Sequence, residues 1–482
     1  MWKAFINCWK VPEVRKRILF TIGVLILCRL AANVPCPGID MEALDDLFKR
    51  MTEKSGGAGD IGNMLNLFTG GGLQKFGVAA LGIMPYITAS IIMSLLGPVV
   101  PAIEKWKREG EAGHQKMTQW TRYLTLIICL VQGTMMASGM AYPGKNPLFG
   151  SVVQPGETLL ASGISPQMFI ILSVVVLMCG TMLLMWLGEQ ITEKGLGQGA
   201  SLIITIGILA RLPLAIKSLG TKMMDDSAEG MTVVEGLIYI AIFCAITAAV
   251  VALTLGVRKV PVQYARARAG RSGGIQGGGG QGTFFPLRVN HAGVMPIIFA
   301  STLLMVPGLL FQQIPGMNLP EWLKNGVAYI TPLFDSGSES YMLIYAALIL
   351  FFCFFWVSSQ FNPVKVADDL KRSSAYIPGH RPGQETADYL NWTMTRVTTA
   401  GALFLTIVAL IPMIFVSVTG NNEDYLLAQF FGGTSMLIMV GVMLDTVRQL
   451  ETYLLSHGGY ETFMKKGRIR GRQQGLPGVS SQ

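Results

Sequence analysis

Charge is what this chain has least of. Asp, Glu, Lys and Arg make up 14% of its 482 residues, against about 25% in an ordinary soluble domain. That shortage excludes a chain whose whole surface faces water. No GxxxxGK[ST] phosphate loop occurs, so the chain has no recognisable engine for nucleotide hydrolysis. The four histidines (His114, His291, His380, His457) are scattered, with no carboxylate or cysteine at ligand spacing. No metal site, no cofactor and no enzymatic constellation follows from them. The seven cysteines are Cys8, Cys28, Cys36, Cys129, Cys179, Cys244 and Cys353; no CxxC occurs and five lie inside apolar runs. They read as small apolar side chains without a disulfide or metal role. Gly195-Leu-Gly197-Gln-Gly199 has dinucleotide-like glycine spacing but no preceding strand, and reads as a tight turn.

Long apolar runs are what the chain has in excess. Hydrophobic residues make up 51%, and mean hydropathy is +0.47. Phe76 to Gly97 runs 22 residues without a charge, where about 20 cross the hydrocarbon core of a bilayer. Similar runs lie at 18–34, 123–140, 167–187, 200–219, 232–256, 292–311, 341–361, 397–417 and 426–447. The expected fold class is all-α, a polytopic membrane protein with ten spans. The first run follows Arg15, Lys16 and Arg17 as a cleaved signal would, but nine further spans favour a retained helix.

With the amino terminus cytoplasmic, 28 of the 38 Lys and Arg fall on the cytoplasmic side and 9 on the other. This obeys the positive-inside rule and places both termini in the cytoplasm. The net charge of +9 is then mostly a topology signal, with contact to ribosomal RNA at cytoplasmic loops a secondary use. The spans divide at loop 211–231 into two halves of five, 18–219 and 220–447, between a segment 1–17 and a tail 448–482. Five per half inverts the second relative to the first, an arrangement that places a pathway at their interface.

Span centres are nearly free of ionisable groups: Arg29, Glu189 and Asp445 sit toward ends. Ion-coupled transporters keep an acid or histidine near the midplane, so a secondary transporter of small solutes is the alternative reading rather than the first. An intramembrane protease needs a Ser/His or paired-Asp arrangement inside spans, and none is visible. Two cytoplasmic loops exceed connector length. In loop 257–291, Val260–Tyr264 and Phe285–Val289 read as strands of a basic hairpin around Arg266, Arg268 and Arg271, with a glycine tip. Loop 362–396 carries Lys371, Arg372 and Arg381, with Pro378 and Pro382 breaking any helix. Each is either a solvated positive loop or a docking surface for a cytoplasmic partner.

Residues 60–97 are the most specific stretch. Asp60 to Gly72 is too short to span and ends in three glycines; it is either an interfacial helix or a short helix folded back into the bundle. In the run after it, Pro85 is expected to interrupt the helix and free a carbonyl. Ile83 and Ile87, four apart, share a face. Ordinary helix packing accounts for such a pair; an aliphatic constriction that sheds water is the sharper reading.

Leu81-Gly-Ile-Met-Pro-Tyr-Ile and Phe68-Thr-Gly-Gly resemble the second helix and plug of the SecY/Sec61 α protein-translocation channels. Pro35–Asp40, Gly180–Thr192, Asn290–Pro296, Phe361–Pro363, Pro378–Gly383 and Phe431–Ser435 continue the resemblance, in order, along nearly the whole chain. It implies an hourglass of two five-helix halves in the bacterial inner membrane, partnered by SecE, SecG, the SecA motor, the ribosome and signal-bearing polypeptides. Its pore ring would be Ile83, Ile87, Ile204, Ile298 and Ile438, with Ala200 where isoleucine is common. The plug would lie within 61–74, at Leu65, Asn66, Leu67, Phe68, Thr69, Gly70, Gly71, Gly72 and Leu73. Ser94 and Thr302 would line a lateral gate to membrane lipid. Arg258, Arg266, Arg268, Arg271, Lys371, Arg372 and Arg381 would dock SecA or the ribosome; the glycine-rich tip 273–282 departs from the family pattern.

Overall fold

The computed structural model describes residues 11–53, 70–143, 159–161, 164–213, 216–217, 220, 233–264, 283–313, 331–334, 338–419 and 433–456. Helices dominate: α1 Pro12–Asn33, α2 Met41–Glu53, α3 Met84–Val99, α4 Pro101–Arg108, α5 Glu111–Ala141, α6 Pro166–Lys194 and α7 Gly199–Leu209, then α8 Val233–Leu255. Two strands follow, β1 Val257–Tyr264 and β2 Thr283–Arg288. The remainder is α9 Met295–Gln313, α10 Glu339–Gln360, α11 Pro363–Arg372, β3 Ala375–Tyr376, α12 Gln384–Thr419 and α13 Gly433–Ser456.

Prolines punctuate the chain where helices begin. α1, α3, α4, α6 and α11 each carry proline in the first turn, where its missing N–H is no loss and its fixed φ suits the helix. Asn362 adds a side-chain cap to α11, its Oδ1 accepting from the Val364 and Lys365 amides at 3.1 Å. Asp40 does the same for α2, accepting from Glu42 at 3.0 Å.

Five described helices are long and apolar enough to cross a membrane: α5, α6, and the apolar stretches of α8, α10 and α12. Shorter apolar helices run over Met84–Gly97, Gly199–Leu209 and Met295–Leu304. The outward faces are greasy: Ile127, Ile171 and Leu343 are 62%, 66% and 72% exposed, the inverse of a water-soluble bundle. Inward, α5 buries Thr121, Thr125, Cys129, Gly133 and Ala137, four residues apart. That stripe of small side chains lets α6 pack closely, as helices in lipid require. Arg122 of α5 forks onto Glu189 of α6 at 2.6 and 3.2 Å.

The second span departs from the sequence expectation. Residues 70–83 are turns rather than helix, and α3 begins at Met84. Pro85 therefore starts the helix rather than interrupting it. The reason is local: Gly70, Gly71 and Gly82 have φ of +65°, +95° and +61°, which only glycine adopts without strain. The segment docks antiparallel on the end of α1, with Cys36 N–H on the Phe76 carbonyl at 2.9 Å and Val78 N–H on the Val34 carbonyl at 2.8 Å. A Cβ at Gly77 would overlap the Ala32 carbonyl, and one at Gly180 of α6 the Val78 carbonyl. Loop 35–75 also contains α2, whose Leu44 and Leu47 are buried beside Leu73, Phe76 and Phe169.

The two long basic loops form one unit. β1 pairs antiparallel with β2 in the register Val260↔Phe285, and its far end pairs with β3, giving the order β2-β1-β3. Val260, Val262 and Leu287 face inward onto Leu390, Met394 and Val357, beneath Val366 and Leu370 of α11. α12 begins at Gln384, well before the apolar stretch that marked it in sequence.

Candidate functional site

The five isoleucines singled out from sequence lie on different elements: Ile83 caps α3, Ile87 follows within it, Ile204 is on α7, Ile298 on α9 and Ile438 on α13. The fold brings all five into one buried apolar cluster, with Ala200 of α7 packed against it. Their exposures are 3%, 8%, 3%, 4% and 0% in that order. The Ile87 amide bonds the Ile83 carbonyl at 3.1 Å, so the pair keeps helical spacing across the cap. Close approach behind it depends on glycine. A Cβ on Gly199 of α7 would overlap the Gly188 carbonyl of α6. α3 packs against α9, and α7 and α1 against α13, so the cluster bridges helices before residue 220 and helices after it.

Of the plug candidates, Leu65, Asn66, Leu67, Phe68 and Thr69 lie outside the described residues. Gly70, Gly71, Gly72 and Leu73 form the glycine turn, and Leu73 is buried in the separate cluster around Phe76. Two arginines grip this turn. Arg29 of α1 donates to the Gly70 carbonyl at 3.1 Å, and Arg211, just past α7, donates to Gln74 Oε1 at 2.8 Å. Sequence reasoning missed their partners, although a cation near the end of an apolar run is a signal worth following.

Ser94 of α3 is half-buried. Thr302 of α9 is buried, and its hydroxyl has no hydrogen-bond partner among the described residues. Of the basic residues, Arg258 on β1 and Lys371 and Arg372 in the last turn of α11 are exposed. Lys259 lies over the Phe284 ring at 4.8 Å. Arg266, Arg268, Arg271 and the tip 273–282 lie outside the described residues. Arg381 is exposed on a rigid turn: the Thr386 hydroxyl donates to its carbonyl at 2.7 Å and its own amide donates to Glu385 at 3.3 Å. His380 stacks on Tyr389 beside it, ring centroids 4.2 Å apart.

His291, between β2 and α9, has a buried Nδ1 without a partner among the described residues, and its ring meets Phe361 edge-on. Burial, and then the nearby Arg288 charge, push its pKa below the ordinary histidine value.

The sequence profile of the SecY family matches residues 77–447. A Vibrio cholerae protein named protein translocase subunit SecY is 41% identical over 462 residues, covering 96% of each chain. A Thermotoga maritima protein of the same name is 38% identical over 473 residues, covering 98% of this chain and all of its own. Among solved structures, one described as a protein-conducting channel matches with a TM-score of 0.59 at 16% identity, over 93% of this chain and 97% of its own. Sec61 from a canine ribosome-channel complex matches with a TM-score of 0.55 at 17% identity, over 93% and 97%. At such identities these two likenesses carry the fold alone; the profile and the full-length relatives carry the family. The chain belongs to the SecY family.

Proposed function

We propose that the chain is the pore-forming subunit of a bacterial protein translocase. It passes unfolded polypeptides across the inner membrane and releases apolar segments sideways into lipid. One observation supports this reading above the others. Ile83, Ile87, Ile204, Ile298 and Ile438, dispersed over more than 350 positions, all belong to the large buried core that joins the earlier and later helices of a SecY-family chain. An aliphatic constriction sheds water without any charged filter. The small-solute transporter reading finds no support among the full-length relatives, which are named as protein translocase subunits.

In this reading the ten apolar runs are ten spans in two inverted halves, with both termini in the cytoplasm. The ring comprises the five isoleucines and Ala200, and segment 61–74 is the plug that moves aside for a passing chain. α3 near Ser94 and α9 near Thr302 form the seam to lipid. A segment of about 20 residues partitions there by transfer free energy: each apolar residue contributes a few tenths of a kcal/mol, against about +3 for a charge. Arg258, Lys371, Arg372 and Arg381, together with Arg266, Arg268 and Arg271 of the same basic loop, receive SecA or the ribosome, including ribosomal RNA. SecE and SecG complete the complex.

The test is crosslinking of a stalled secretory chain to single cysteines at positions 87, 204, 298 and 438, with cysteines at 127 and 343 as lipid-facing controls. Crosslinks at all four support a shared path. Crosslinks confined to lipid-facing positions such as Ile127 and Leu343 would overturn it.

A further inference from the structure

Arg396 is the only charged residue between Tyr389 and Thr419, and it stands exposed on the outward face of α12. Other cations on the helices have carboxylates: Lys116 pairs with Glu109 at 2.9 Å, Arg122 with Glu189 at 2.6 Å and Arg448 with Asp445 at 3.8 Å. Arg396 has no ion pair among the described residues. Its guanidinium lies instead over the ring of Trp392, one turn earlier, 4.0 Å from the centroid. Stacking of this kind fixes the planar group while leaving its fork of N–H donors open. Next to the arginine, Thr399, Ala400, Leu403, Phe404 and Ile407 line an open groove of roughly 480 Å³, with Arg396 at its head.

Arg396, Ala400, Leu403 and Ile407 follow one another at helical spacing, so the small Ala400 leaves a notch between the cation and the apolar side chains. The opposite face of the same stretch is packed: Ala402, Leu405, Val408 and Ala409 are buried, and a Cβ at Gly401 would overlap the Val289 carbonyl. The groove is therefore carried on a rigid wall. At about 1.5 Å per residue, Arg396 to Ile407 runs roughly 16 Å, the depth of one leaflet in a hydrocarbon core about 30 Å thick. Trp392 sits at the head of the groove, and an indole is at home at headgroup level. A molecule that matches this face has an anionic head and an apolar chain one leaflet long.

We propose that this face of α12 binds one anionic phospholipid, its phosphate on Arg396 and an acyl chain along Ala400, Leu403 and Ile407. The inference rests on the ten-span reading above, in which this end of α12 faces the cytoplasm. A guanidinium takes two phosphate oxygens at once. An anionic lipid thereby neutralises the arginine where the chain enters the bilayer, whereas a zwitterionic lipid brings its own cation and gains less. The probe is phosphatidylglycerol with a photoreactive acyl chain, diluted into phosphatidylcholine vesicles that hold the complete translocase. Photoreactive phosphatidylcholine is the comparison, and labelled residues are mapped by mass spectrometry. Phosphatidylglycerol labels Leu403, Phe404 and Ile407 about fivefold more than phosphatidylcholine does, the preference one cation gives at an anionic surface. Arg396→Gln abolishes the preference and Arg396→Lys, which keeps the charge, retains it. Ala400→Leu fills the notch and lowers phosphatidylglycerol labelling although the charge remains. Equal labelling by the two lipids, or a preference that survives Arg396→Gln, overturns the proposal. So does competition by soluble glycerol phosphate, which would make this a phosphate site, or a face that neither lipid labels because another subunit covers it. Ile127 and Leu343 are the controls, labelled by both lipids alike. Should they also escape labelling, the membrane reading itself fails, whereas a failure at α12 alone leaves that reading standing.

Discussion

Replacing Ile438 by asparagine places an amide in the middle of the apolar cluster, at a side chain that is 0% exposed. Ile83, Ile87, Ile204 and Ile298 share that cluster, whose other members are predominantly aliphatic and aromatic. A buried polar group left unpaired costs about 1–3 kcal/mol. Wetting the constriction removes this cost, so the hydrated state gains by the same amount relative to the dry one. At 1.4 kcal/mol per tenfold, its population rises roughly 5- to 150-fold. The assay is ion conductance of the assembled translocase in planar bilayers without passenger. Ile438→Leu keeps the volume and apolar character, costs less than about 1.5 kcal/mol, and stays tight. An asparagine variant that assembles normally yet conducts no more than its parent would refute the reasoning and leave Ile438 a packing residue alone.

Other outcomes follow from the same geometry. Gly77→Ala drives a methyl group into the Ala32 carbonyl and destabilises the α1 junction by about 1–3 kcal/mol; thermal unfolding shows the loss, with Gly23→Ala as the control that meets nothing within 4 Å. His291 has a folded pKa below its ordinary 6.5, so its contribution to stability is present above that value and declines as pH falls below it. Protection factors of the β1 and β2 amides, corrected for the slower intrinsic exchange at lower pH, fall on acidification through this range, and His291→Phe flattens the dependence. On the docking role proposed for it, Arg381→Glu slows SecA-driven transport with no change in melting temperature, because the side chain is exposed. Thr386→Val releases the turn under Arg381 and slows transport in the same assay.

Much of the architecture was legible because a bilayer imposes length and charge rules on a single segment at a time. The apolar runs at 123–140, 167–187 and 341–361 lie within α5, α6 and α10 almost end to end. The hairpin strands showed in their alternation, since Val260 and Val262 face one way. The second span was misjudged because hydropathy does not see glycine geometry: residues 76–83 are as apolar as the helix they precede, yet their backbone lies against α1 and Gly180. β3 was invisible as a strand, since two residues carry no period; only pairing with Gln263 and Tyr264 makes Ala375–Tyr376 one.

The sequence by itself determined that the chain carries the long apolar runs of a membrane protein, that its basic residues are unevenly shared among the loops, and, through its motifs, which family it resembles. Those properties come from composition and local order, which each segment carries alone. Tertiary structure decided that isoleucines on α3, α7, α9 and α13 share one cluster, that Arg29 and Arg211 converge on one glycine turn, and that the two basic loops form one sheet. Each of these is a contact between distant segments, helped within the helical bundle by the close approaches that Gly180 and Gly199 allow, and no periodicity within one segment encodes it.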